Sequence, residues 1–191
     1  MSWTRIARRI RVPMGFVFAL FFLLTAHPSV HSLLWSLLGT VPGLALRTYA
    51  SGYVTKNEEL TTTGPYAYTR NPLYLGSMLL AFGFAVAAHS WWTALALAIL
   101  FALIYWPTIR SEEEFLRGRF REYEEYSTRV PRLLPRLTPA QPPVTTEITG
   151  GFFGALYRKH REYNAALGAL SIYAVLLLRL FVWHRITFLS P

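Results

Sequence analysis

No cysteine occurs in these 191 residues, which excludes disulfide bonds and thiolate chemistry. Charge is missing on a larger scale: residues 12–46 contain no Asp, Glu, Lys or Arg, and neither do residues 71–109. A soluble domain of this length interleaves charged with apolar residues, so those gaps exclude an ordinary water-soluble fold. There is no G-x-G-x-x-G loop of the kind that opens a dinucleotide-binding fold. No internal repeat or low-complexity tract stands out. The small-residue A-x-A site of a cleaved signal peptide does not follow the first apolar run, and another apolar stretch begins at once. The net charge is +9, yet no soluble basic module is present, so nucleic acid is not an expected partner.

What is present is apolar: 53% of residues are hydrophobic and 16% aromatic. As helix, each uncharged block would run to roughly 50–60 Å at about 1.5 Å per residue. A bilayer core is about 30 Å thick, so each block suits two crossings rather than one. His27-Pro28 and His89-Ser90-Trp91 supply the turns, since proline and short polar residues punctuate helices. The expected spans are 12–26, 29–47, 73–88 and 91–107, with a fifth at 165–183. The expected fold is therefore all-α and polytopic: two transmembrane hairpins, a C-terminal fifth span and a cytoplasmic amphipathic helix.

Basic residues orient this arrangement. Arg5, Arg8, Arg9 and Arg11 precede the first span. Arg47, Lys56 and Arg70 fall between the second and third, and a basic stretch runs from Arg110 to Arg161. The turns at 27–28 and 89–90 carry no Lys or Arg. Since basic loops stay cytoplasmic, the N-terminus, the 48–72 loop and the 108–163 segment are expected on that side. The excess positive charge implies contact with anionic lipid headgroups. Arg179, the one charge inside a span, is expected to snorkel to the far interface.

After the fourth span, Trp106-Pro107 marks the interface and a charged helix follows, with Ile109, Leu116, Phe120 and Tyr123 on one face. It would lie against the membrane or cap the bundle, and Val130-Pro131 ends it. Residues 135–143 read as an extended, polyproline-like linker, and 152–163 as an interfacial lead-in to the fifth span. The chain divides into a membrane core (1–136), a Pro-rich linker (137–150) and an interfacial segment with the fifth helix (151–191).

Three adjacent carboxylates on the charged helix separate by local geometry, because residues three or four apart are helical neighbours. Glu114 has Arg110 behind and Arg117 ahead, and Glu113 has both at similar reach. Glu112 has only Thr108, Ile109, Phe115 and Leu116 beside it. It is either a first-turn acid favoured by the helix dipole or a carboxylate whose partner comes from elsewhere in the fold or from a ligand.

The second polar stretch is TTTGPYAYTRNPLYLG, residues 61–76. Gly64-Pro65 forces a turn, Asn71-Pro72 keeps residue 71 out of helix, and Leu73 begins the third span. Proline in a first helical turn leaves neighbouring N–H groups free for a polar or anionic ligand. Tyr66, Tyr68 and Tyr74 offer ring faces to a cation or a stacked purine, although Tyr68 alone fits an interfacial aromatic belt.

Leu60-x-x-x-Gly64-Pro65-Tyr66-x-x-x-Arg70-Asn71-Pro72-x-Tyr74-x-Gly76 resembles the signature of the integral-membrane methyltransferases related to isoprenylcysteine carboxyl methyltransferase and phospholipid N-methyltransferase. A second block, Glu112-Glu113-x-x-Leu116 followed by Phe120, Tyr123, Tyr126 and Val130-Pro131-Arg132, is similar to that family's C-terminal block. The resemblance covers residues 38–136. It implies an S-adenosylmethionine site at the cytoplasmic membrane face without a Rossmann fold. Glu59, Leu60 and Thr61 would enclose the cofactor with Tyr66. Asn71, Pro72, Leu73 and Tyr74 would line the same pocket, and Glu112 would bind the cofactor's ammonium. Many relatives have His where this chain has Asn71, which can hydrogen-bond but cannot titrate. Phe120-Arg121 replaces the family's Phe-Gly. The arginine one turn before the glutamate has no exact counterpart: Thr108 holds that spacing and Arg110 is the nearest candidate.

Methyl transfer needs alignment more than acid–base work. Cofactor would enter from the cytoplasm and a lipophilic acceptor from the bilayer, with Arg110 orienting an acceptor carboxylate or Glu113 holding an acceptor amine as the catalytic residues. Two other readings stay open. A membrane NADPH reductase is one, since some sterol reductases share a related Gly-x-Tyr…Arg-x-Pro-x-Tyr pattern; a non-catalytic membrane partner protein is the other. No metal site is expected: His27 and His31 have ligand-like spacing, but Pro28 interrupts the turn and no third ligand is near. His160 and His184 are isolated in basic sequence.

Overall fold

Ser29 starts the second helix by a reciprocal exchange: its hydroxyl accepts from the Ser32 N–H at 3.0 Å while the Ser32 hydroxyl accepts from the Ser29 N–H at 2.9 Å. It thereby separates α1 (Trp3–Thr25) from α2 (Val30–Ser51). The computed structural model describes residues 3–53, 59–141 and 151–189, with side chains at 13–53, 59–141 and 151–182. Lys56, Pro142, Pro143 and the side chains of Arg5, Arg8, Arg9, Arg11 and His184 lie outside those described. Among the described residues every regular element is helical.

α3 (Pro72–Ala88) opens on a proline, which has no N–H to leave unpaired. It closes on His89, whose left-handed backbone (φ 49°) turns the chain into α4 (Trp91–Leu100). The His27 N–H donates to the Ala88 carbonyl at 2.7 Å, so both hairpin turns lie side by side at one end of the bundle.

The fourth span and the charged helix after it, read as two elements with Trp106-Pro107 at the interface, are continuous. α4 runs through a π-helical turn (Phe101–Tyr105) into α5 (Trp106–Arg119), making one helix of 29 residues, Trp91–Arg119. Pro107 lacks the N–H that would bond one turn back, and its ring would crowd that carbonyl. The wider turn, in which the Trp106 N–H bonds the Phe101 carbonyl, makes room. The rod therefore carries Glu112 and Glu113 on rigid helix continuous with the apolar layer. The charged helix also stops earlier than expected. Gly118, a poor helix former, precedes an extended Phe120, and α6 (Tyr123–Arg129) follows.

Packing between α2 and α3 is built from small residues. A Cβ on Gly83 would sit 2.4 Å from the Thr40 hydroxyl oxygen and 2.8 Å from the Ser36 carbonyl. Ser36 and Thr40 are themselves buried, while Phe16, Leu20, Leu34, Leu38, Phe82 and Leu178 point outward. Small and polar groups inside with large apolar groups outside is the packing of helices in lipid. By length and composition, Trp91–Arg119 and Tyr163–Val182 are each able to cross a membrane; Pro13–Thr25 and Pro72–Ala88 are apolar but shorter.

The C-terminal region docks on this bundle through α7 (Gly154–Lys159) and α8 (Tyr163–Leu189). The Tyr173 hydroxyl meets Ser36 at 2.6 Å and Thr40 at 2.8 Å. Arg179, expected to snorkel, instead donates to the Leu23 carbonyl, one of the unpaired carbonyls in the last turn of α1. Arg47 grips Glu162 with the Nε–Nη2 edge of its guanidinium, at 2.8 to 3.1 Å. Its remaining nitrogen reaches the Leu73 carbonyl and the Ser77 hydroxyl in α3.

Candidate active site

The loop from Glu59 to Asn71 lies at the end of the bundle opposite the hairpin turns. Gly64 adopts φ +57°, in the region that only glycine occupies freely, with the Tyr53 ring against its α-carbon. Pro65 then opens a short 3₁₀ turn, Gly64–Ala67, that carries Tyr66 inward. The Tyr126 hydroxyl donates to the Tyr66 carbonyl at 2.7 Å and holds the turn from below.

A strap made by residues 131–140 runs alongside. The Arg70 N–H bonds the Pro131 carbonyl at 2.9 Å, the Arg136 N–H bonds Tyr68 at 3.0 Å, and the Ala140 N–H bonds Ala67 at 2.9 Å. The Thr69 hydroxyl is shared between the Arg132 and Leu133 carbonyls. The expected proline-rich linker is thus, over its described part, a brace that fixes the loop's backbone.

Glu113 is the hub beneath the loop. The Arg132 guanidinium donates to one of its oxygens at 2.8 and 2.7 Å, and the Asn71 amide donates to the other at 3.0 Å. Arg70 stands farther off at 3.7 Å. Helical spacing had offered Arg110 and Arg117 as partners. Arg117 instead pairs with Glu124 at 2.8 Å, and Arg110 is exposed, on another face of the helix. Glu113 faces inward, toward residues of the loop and the strap. The second hydrogen of the Asn71 amide goes to the Arg132 carbonyl at 3.1 Å, so both are committed to the protein.

Loop, α5 and α6 together enclose a cavity of about 340 Å³, within the usual range for small-molecule sites. Glu59, Leu60, Thr61 and Tyr66 form one wall; Asn71, Pro72, Leu73 and Tyr74 form the next; Glu112 and Glu113 close it from the rod. Every sequence-predicted site residue except Arg110 borders this one space. Arg70, Phe115, Leu116, Tyr123 and Tyr126 border it too and had not been assigned to the site. Leu116, Tyr123 and Tyr126 were readable as part of the second motif, and Arg70 as part of the first.

Glu112 sits at the exposed edge, where the Tyr74 hydroxyl donates to it at 2.9 Å. This gives the carboxylate the cross-fold contact that its own helix lacked. Burial, then the charges of Glu112 and Glu162, push the Tyr66 phenol well above the usual tyrosine range. Burial does the same to Tyr126. Both remain protonated hydrogen-bond donors.

A second, smaller cavity of about 140 Å³ lies between α1, α3 and the π-turn, lined by apolar side chains such as Phe18, Met78 and Leu97. Tyr105, on its border, packs edge-on against Tyr74 with ring centres 6.1 Å apart. The tyrosine pair separates an apolar space among the helices from the polar one at their end.

The family model for phospholipid methyltransferase matches residues 17–123, which is more than half of the chain and includes the loop and both glutamates. The chain belongs to that family. It is a membrane protein by family and by its two long apolar helices. The cobalt-zinc-cadmium resistance protein CzcN of Cupriavidus metallidurans is 41% identical over 101 residues, covering 53% of this chain and 46% of that protein. The nickel-cobalt-cadmium resistance protein NccN of Alcaligenes xylosoxydans xylosoxydans is 40% identical over 101 residues, with the same coverage. The chain thus spans about half the length of the curated relatives it matches. No solved structure matches.

Proposed function

We propose that this phospholipid methyltransferase family member transfers a methyl group from S-adenosylmethionine to a lipophilic acceptor in the bilayer. The observation that carries the reading is the meeting of Glu112 with the 59–74 loop around one cavity. A carboxylate, tyrosine rings and exposed backbone are the donor set that suits a cofactor bearing an ammonium, a sulfonium and a purine. When bound there, the cofactor supplies an electrophilic methyl group. Glu112 takes the ammonium, with the Tyr74 hydroxyl holding the carboxylate in place. Tyr66 and residues 59–61 line the opposite wall, and Glu113 fixes the loop rather than touching the reacting atoms. Arg110, outside the cavity, is a poor candidate to orient the acceptor.

The apolar space beyond Tyr105 supports a lipophilic acceptor approaching between α1, α3 and α4, with Tyr74 and Tyr105 at its head. The acceptor group is a carboxylate or an amine. Siting the cavity on the cytoplasmic face and counting five crossings extend the same reading, on the placement of basic residues. Family membership favours methyl transfer over hydride transfer from NADPH. The metal-resistance names of the relatives suggest a physiological setting for the reaction.

Calorimetric titration of S-adenosylhomocysteine into purified protein in uncharged maltoside micelles tests the assignment. Binding is expected, with Glu112→Gln weakening it about 10- to 100-fold through loss of one charge-assisted contact. Equal affinity in the two proteins would remove Glu112 from the pocket. No binding to the wild type would remove the cofactor.

A further inference from the structure

Among the described residues Arg70 is the one cationic side chain bordering the main cavity, and the protein meets its charge only at long range. Its side chain is 12% exposed. Its Nη1 lies 3.5 Å from the Tyr123 hydroxyl and 3.7 Å from the nearer Glu113 oxygen, both at or beyond the limit of a good hydrogen bond. Its Nε is buried and has no hydrogen-bond partner. Glu113 supplies a counter-charge from 3.7 Å, but its carboxylate is drawn toward the closer Arg132 and Asn71 donors and makes no short hydrogen bond to Arg70. A guanidinium has five donors in a planar fork, and buried polar groups in folded proteins are nearly always satisfied. The backbone of Arg70 is pinned by the strap at Pro131, so the side chain is the only part able to adjust.

We propose that Arg70 is the anion receptor of the cavity, its guanidinium fork taking a carboxylate or phosphate of the bound ligand. This rests on reading the cavity as the methyl-transfer site. A modest rotation of the terminal torsions would turn Nε and one Nη into the cavity as a bidentate pair, the geometry that matches planar oxyanions. Glu112 on the rod and Arg70 on the loop then present opposite charges to one space, which selects a ligand carrying both. The chemistry has two sources: the amino-acid carboxylate of the methyl donor, or an anionic headgroup on the acceptor. In the second case the role expected of Arg110, orienting an anionic acceptor, falls to Arg70.

Titrations in uncharged maltoside micelles separate the sources. S-adenosylhomocysteine and its decarboxylated analogue, which keeps the amine, sulfur and adenosine, are each titrated into wild type, Arg70→Gln and Arg70→Lys. Dodecyl phosphate serves as the anionic amphiphile. If Arg70 holds the donor carboxylate, the wild type prefers the carboxylated ligand about 10- to 100-fold and Arg70→Gln abolishes the preference. If it holds the acceptor anion, Arg70→Gln leaves both adenosyl ligands unchanged and weakens dodecyl phosphate about tenfold or more. Arg70→Lys, which keeps the charge and loses the fork, is expected to fall between and guards against a glutamine variant that fails to fold. All three ligands binding equally to wild type and both variants overturns the proposal. A wild type that binds dodecyl phosphate through Arg70 but no adenosyl ligand keeps this inference and overturns the methyl-transfer reading instead.

Discussion

Replacing Glu113 by glutamine keeps the side chain's shape and removes one negative charge where two arginines and an amide converge. Three contributions set the cost. The Arg132 side chain is 34% exposed, so water compensates most of its loss, leaving about 0.5–1 kcal/mol. The Asn71 amide keeps its bond to the Arg132 carbonyl and loses only the charge at its other acceptor, about 0.5–1 kcal/mol. Arg70 cannot reach water as readily and stays behind without a counter-ion, at about 1–3 kcal/mol. The sum is roughly 3 kcal/mol, which for a chain of this size lowers the melting temperature by about 6–12 °C. Tryptophan fluorescence in detergent micelles follows the melting, with Trp106, whose ring lies 5.2 Å from the Arg132 guanidinium, among the reporters. The exposed Arg110→Gln is the control and should stay within about 0.5 kcal/mol of wild type. If Glu113→Gln melted within about a degree of wild type, or if Arg110→Gln lost as much, the charge network would not be the brace described here.

Gly83→Ala should lower the melting temperature although alanine is the better helix former, because the added carbon meets Thr40 and Ser36 on α2; overpacking of this kind costs about 1–3 kcal/mol. Gly168→Ala, with open space around it on α8, should raise stability by about 0.5–1 kcal/mol, so equal shifts in the two variants would contradict the close approach of α2 and α3. Tyr126→Phe leaves the buried Tyr66 carbonyl without its donor and should cost about 1–2 kcal/mol at neutral pH. The folded state holds the Tyr126 proton more tightly than the unfolded state does, so its stabilisation is complete below the ordinary tyrosine pKa of about 10 and is withdrawn as pH rises beyond it. Melting curves above that pH should fall more steeply for wild type than for Tyr126→Phe.

The two hairpins were legible because His27-Pro28 and His89-Ser90 interrupt uncharged blocks too long for one crossing, and local turn chemistry needs no partner to be read. Glu112 was legible for a related reason: its own helix offers it nothing positive at neighbouring spacing. Glu113 was not. Its partner Arg132 lies 19 residues on, beyond the reach of helical spacing, and the nearer Arg117 is turned toward Glu124 instead. The continuity of the rod was not legible either, since accommodating Pro107 inside a helix depends on a π-turn that no local signal announces.

By itself, the sequence determined the helical class, the apolar blocks, the rigid bend around Pro65 and Pro72, and the kinds of side chain available to the site, because these follow from residue chemistry over a few positions. Only the tertiary structure decided that α2 and α3 meet through glycine, that residues 131–140 strap the loop, that Glu113 is spent on Arg132 and Asn71, and that Arg70 rather than Arg110 borders the cavity. Those outcomes depend on which faces pack and on how distant segments close over one another, and such closure joins residues whose separation along the chain carries no period to read.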